Sequence, residues 1–103
     1  MMQGDSYGLP IEIKKSDGTA VTPEDVSDVE IVIGHLIKTY KKNEIGFNAD
    51  SGAWIFPLTQ EETFSFPAMR VKGQARIAWA SGGVEGVRLE HIDVSESYSK
   101  EVL

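Results

Sequence analysis

The sequence predicts an all-β sandwich of six or seven short antiparallel strands. Apolar residues recur at a period of two through most of the chain, the spacing that puts alternate side chains on one face of a strand. Turn-forming residues punctuate the pattern about every ten positions, which is the rhythm of a sandwich. The chain has 103 residues, enough for one core and too few for two. A five-stranded barrel of the oligonucleotide-binding type is the alternative arrangement, and it suits the acidic charge poorly.

Leu9, Ile11 and Ile13 alternate with Pro10, Glu12 and Lys14, a strand with one wet face. Pro10 cannot donate to a ladder, so this strand belongs at a sheet edge or begins just after it. Ser16-Asp17-Gly18-Thr19 is a turn. Thr22 can cap a short helical turn that has Pro23 at its first position and Glu24 and Asp25 at its positive end. Val29–Ile37 reads as the strongest strand. Val29, Ile31 and Ile33 form one face, while Val32 and Leu36 suggest that the other face is also covered.

Ile45 and Phe47, the turn residues Asn48–Gly52, and then Trp54, Phe56 and Leu58 spell a hairpin. Thr59 followed by Glu62 has capping-box spacing for one helical turn that connects the sheets. Gly73–Ala80 is a strand, and Ser81-Gly82-Gly83 turns it into Val84–Val94. There the inward set begins as Val87 and Leu89 and resumes as Ile92 and Val94, a slip that places a β-bulge near Glu90-His91.

Composition narrows the function. The chain has no cysteine, which removes thiolate nucleophiles, thiolate metal sites and disulfides and is compatible with folding in a reducing cytoplasm. A net charge of −6 has the wrong sign for displacing phosphate counterions, so no nucleic-acid partner is expected. No apolar run reaches the roughly 18 residues of a membrane-spanning helix, and the first residues lack the basic-then-apolar pattern of a signal peptide. His35 and His91 are the only imidazoles, and neither has a partner at zinc-motif spacing. The glycine-rich stretch around Gly82, Gly83 and Gly86 joins two strands and opens no helix, so it cradles no phosphate. No serine sits on a strand-to-helix elbow, and no paired nucleophile and base stand out. The expectations are therefore no enzyme, no cofactor and no metal. Trp54, Phe56 and Trp79 fall on the inward phase of their strands and read as core, whereas Phe64 and Phe66 lie in a connector.

The order of these motifs resembles small phage and prophage virion proteins whose fold is like the N-terminal immunoglobulin-like domain of phage baseplate upper proteins. The resemblance runs along almost the whole chain. It is carried by Gly4-Asp5-Ser6-Tyr7 with Leu9-Pro10-Ile11, by Lys15–Thr19 and Asp28-Val29-Glu30-Ile31, then by Trp54–Thr63, Gly73–Ile77 and Ser95–Leu103. Those motifs specify strand edges, turns and a connector. They imply an immunoglobulin-like sandwich of about seven strands, made in the bacterial cytoplasm and working in a tail or baseplate through protein–protein contacts, with no catalytic residues to carry over.

The expected partners are other virion or tail proteins, further copies of this chain, or both. The candidate interface comprises Val32, Leu36, Val102 and Leu103, because exposed apolar edges and ends pair with something. Residues 1–5 and 98–103 are expected to be flexible ends or to order on assembly. A carbohydrate- or protein-binding adhesion module is the second expectation; it requires Trp54, Trp79, Phe64 or Phe66 on one surface.

Overall fold

A computed structural model describes all residues, Met1–Leu103. Seven strands are present: β1 (Tyr7–Glu12), β2 (Val26–Ile33), β3 (Leu36–Lys41), β4 (Gly46–Asn48), β5 (Ala53–Leu58), β6 (Arg70–Trp79) and β7 (Val84–Asp93). One short helix, α1 (Gln60–Phe64), joins β5 to β6. Two antiparallel sheets result, ordered β1-β5-β4 and β3-β2-β6-β7. The order of the larger sheet is that of the G-F-C-C′ strands of an immunoglobulin sandwich, and the smaller sheet corresponds to B-E-D. An ABED sheet carries strand A beside B; here β1 has no strand on that side.

Eighteen buried apolar residues form one cluster between the sheets. The period-two pattern explains their placement. Leu9 and Ile11 from β1, Val29, Ile31 and Ile33 from β2, Trp54, Phe56 and Leu58 from β5, and Ala75 and Ile77 from β6 all point inward. Pro10 lies within β1 opposite Ile55, and β1 is an edge strand as expected. The bulge is also where the phase slip put it: Val71 pairs with Ile92 and Gly73 with Leu89, so Glu90 and His91 together face Lys72.

The segment Val29–Ile37 is not one strand. It is the meeting of β2 and β3, which turn at Gly34-His35 with Ile33 paired to Leu36. Gly34 has φ +58°, a left-handed conformation that a β-branched side chain resists. The turn changes the phase: Leu36 faces the core, and Ile37 takes the outward place opposite Val32. A Cβ at Gly34 would meet nothing within 4 Å, so a substitution there reads out backbone strain alone. Gly34→Val is expected to lower stability by about 1–2 kcal/mol, and Gly34→Asn by much less, in urea unfolding.

Two of the three short helical turns differ in how they are capped. In α1, Thr59 Oγ1 accepts from Glu62 N at 3.2 Å, and Glu62 Oε1 accepts from Thr59 N at 2.8 Å, the expected reciprocal box. In the Pro23–Asp25 turn the roles depart from expectation. Thr22 does not cap through its own oxygen as an acceptor; Asp25 Oδ2 accepts from both Thr22 N at 2.9 Å and Thr22 Oγ1 at 3.0 Å.

Candidate assembly surfaces

One long side of the sandwich is closed. Tyr40, at the end of β3, is buried and donates its hydroxyl to Pro57 O at 2.7 Å. Lys38 Nζ lies 3.0 Å from Glu62 Oε1 and 4.9 Å from the Tyr40 ring centroid. Burial, then the Glu62 and Glu44 carboxylates, hold the Tyr40 phenol protonated well above its usual range. Burial alone would raise the Glu62 pKa, but the Thr59 N–H and Lys38 outweigh it and hold the carboxyl below its ordinary 4.5. A carboxyl that titrates lower when folded contributes stability above its unfolded pKa, and that contribution fades as pH falls through the folded value. Glu62→Gln is therefore expected to cost stability at pH 7 and to flatten the acid limb below about pH 4.5, measured by urea midpoints at a series of pH values.

The outward face of the larger sheet follows from strand register. Its first row runs Ile37, Val32, Gln74, Arg88. The second runs Thr39, Glu30, Arg76, Gly86, and the third Lys41, Asp28, Ala78, Val84. Ile37 is 66% exposed, Val84 61%, and Val32 is half-buried. All three arginines of the chain sit on β6 and β7, and Arg76 pairs with Glu30 at 3.7 Å and Arg70 with Asp93 at 3.0 Å. Lys72 and Arg88 have no carboxylate within 4.0 Å, so this face is more cationic than the acidic chain as a whole.

The opposite long side is open. A groove of about 690 Å³ runs between the free edges of β1 and β7, with Leu9, Ile11, Val87, Leu89 and Ile92 in its wall. Beside its end, Met2 pairs with Ser95 in a parallel bridge; Gln3 N donates to Ser95 O at 2.9 Å and Ser95 N to Met1 O at 2.8 Å. The Met1 ammonium donates to Asp93 O at 3.0 Å. A turn with Asp5 N on Met2 O sets this segment, and Gln3 Nε2 anchors it on Phe66 O at 2.7 Å.

Of the candidate interface residues, Val32 faces outward. Leu36 is turned to the core and leaves the patch, because the β2–β3 turn reverses the phase; Ile37 replaces it. Val102 is 51% exposed, Leu103 and Tyr98 are fully exposed, and the last residues lie along Gln3 and Gln60 through side-chain hydrogen bonds. The one signal that could have found Ile37 was the Gly34-His35 dipeptide inside an apolar run. His35 is an exposed turn residue 6.4 Å from the Phe66 ring, not a mid-strand residue, and His91 is exposed at the bulge. Nowhere do three His, Asp or Glu side chains group closely enough to hold a metal ion.

The aromatics divide unevenly. Trp54 and Phe56 are fully buried, and so is Phe66 in the connector that follows α1. Trp79 is half-buried at the end of β6, not fully core, and Phe64 is half-buried against Gly4. No family model matches the chain, and no curated protein or solved structure matches it.

Proposed function

We propose that this chain is a non-enzymatic structural component of a phage or prophage tail or baseplate and acts through protein–protein assembly. The observation that carries the reading is the placement of apolar side chains outside a finished core. Ile37 stands exposed beside Val32 on the sheet face, and Tyr98, Val102 and Leu103 project from the tail. Scattered apolar residues are ordinary on any surface, but an adjacent apolar pair on a sheet face together with an apolar tail is what an assembling subunit presents. The immunoglobulin-like strand order and the resemblance to baseplate upper domains support the same reading. Of the four aromatics an adhesion site would draw on, Trp54 and Phe66 are buried and Trp79 and Phe64 are half-buried.

Amide hydrogen exchange at low and high protein concentration tests this. Assembly is expected to slow exchange on exposed segments as concentration rises, while core strands stay unchanged. Identical profiles at both concentrations would count against contacts between copies.

A further inference from the structure

The assembly reading leaves open how one copy holds another. We propose that the groove between β1 and β7 receives the C-terminal segment Tyr98–Leu103 of a second copy, added as a short strand along β7. The strand order points to a strand as the occupant. β1 and β7 are the free edges of the two sheets on the same open side, and no strand lies along either edge there, so the inner side chains Val87, Leu89 and Ile92 of β7 stay only half covered. Strand addition to an open edge supplies main-chain hydrogen bonds and covers such side chains at once.

β7 is the edge that offers the ladder. It pairs with β6 alone, whereas Pro10 takes a donor out of the edge of β1. The lane is short. Glu85 has the inward phase, opposite Ile77, and puts a charge at the upper end, which disfavours open-ended sheet stacking. From Val87 to Asp93 the lane spans roughly 20 Å at strand rise, allowing for the bulge.

The tail fits that lane. Six residues, Tyr98–Leu103, also span about 20 Å when extended. From Glu96 onward the tail makes no backbone–backbone hydrogen bond to the rest of the chain; Ser97 N, Glu101 N and Leu103 N donate only to side-chain oxygens of Gln3, Ser99 and Gln60, which strand pairing would replace. Tyr98 and Val102 fall on one face of an extended segment, with Lys100 between them. The groove wall offers apolar side chains to the first two, and its lining carries three carboxylates, Glu12, Glu90 and Asp93, against the two cations Lys14 and Arg88, for the third. The tail cannot simply fold back into its own groove, because Met1–Gln3 is bonded to Asp93 and Ser95 at that end. A second copy removes the obstacle.

The test uses full-length variants and light scattering. Tyr98→Asp with Val102→Asp damages the tail, and Leu89→Asp damages the groove. Each is expected to weaken self-association at least tenfold, and an equimolar mixture is expected to regain it, since one variant keeps an intact tail and the other an intact groove. Val32→Asp with Ile37→Asp is the comparison variant, since that pair is the other apolar surface; the tail exchange predicts that damage to tail or groove lowers the mass whether or not this variant does. A second measurement does not depend on the groove variant folding: mixed isotope-labelled and unlabelled copies should give an intermolecular Lys100–Lys14 cross-link, Lys14 being at the groove. If the tail variant keeps the wild-type mass, or that cross-link is absent while copies associate, the tail exchange is overturned. If association is lost only with Val32 and Ile37 changed, the exchange is overturned but the assembly reading survives. A wild-type protein that never associates overturns the exchange and leaves the assembly reading only contacts with other proteins.

Discussion

Trp54→Ala is expected to be the most damaging single substitution in the chain. Trp54 is fully buried near the start of β5, packs edge-on to Phe47 with ring centroids 5.3 Å apart, and donates its indole N–H to Val21 O at 2.9 Å. Alanine removes the largest side chain of the core, leaves a cavity, and strips a buried carbonyl of its donor. Large-to-small changes of this kind cost about 3–5 kcal/mol, roughly a fifth or more of the about 5–15 kcal/mol that a domain has to lose. Trp54→Phe keeps much of the volume and loses the hydrogen bond, so it should cost less, about 1–3 kcal/mol. Circular dichroism in urea measures both, without relying on tryptophan emission. A loss below about 2 kcal/mol for the alanine variant would show that the core collapses around the site far better than its packing implies.

Gly4→Val carries the second large effect, through backbone and sterics together. Gly4 has φ +85° in the turn that returns Met1–Gln3 to β7. A Cβ there would lie 2.5 Å from Phe64 Cζ, so the ring must move as well as the backbone. Left-handed strain costs about 1–2 kcal/mol and overpacking about 1–3, giving an expected loss of about 2–4 kcal/mol. Faster amide exchange at Gln3, which donates to Ser95 O, and at Ser95, which donates to Met1 O, should accompany it. A variant with wild-type stability and unchanged exchange would mean that the turn does not position that segment.

Much of the fold was legible in the sequence because sheets leave a simple trace. One wet face and one buried face force alternation, and alternation located β1, β5 and β6 and even the bulge in β7, where two residues oppose one. The capping box of α1 was legible for a similar reason, since a fixed spacing serves a local bond. Gly34-His35 was missed because apolar residues continue on both sides of it, and a two-residue turn inside an apolar run shifts the phase without interrupting the run. That single shift moved Leu36 inward and brought out Ile37. The groove had no local signature at all. It arises from a strand order that brings β1 and β7, distant in sequence, to the same open side. The burial of Phe66 was equally nonlocal, because the connector carrying it is pinned by Gln3 from the other end of the chain.

Assembly through protein contacts is tested most directly by the solution mass of the full-length protein, measured by light scattering across a concentration series. A defined oligomer whose population grows with concentration is the expected result. A strict monomer at every concentration, up to the highest the protein tolerates, would contradict self-assembly and leave its apolar pair and tail without the partner inferred for them.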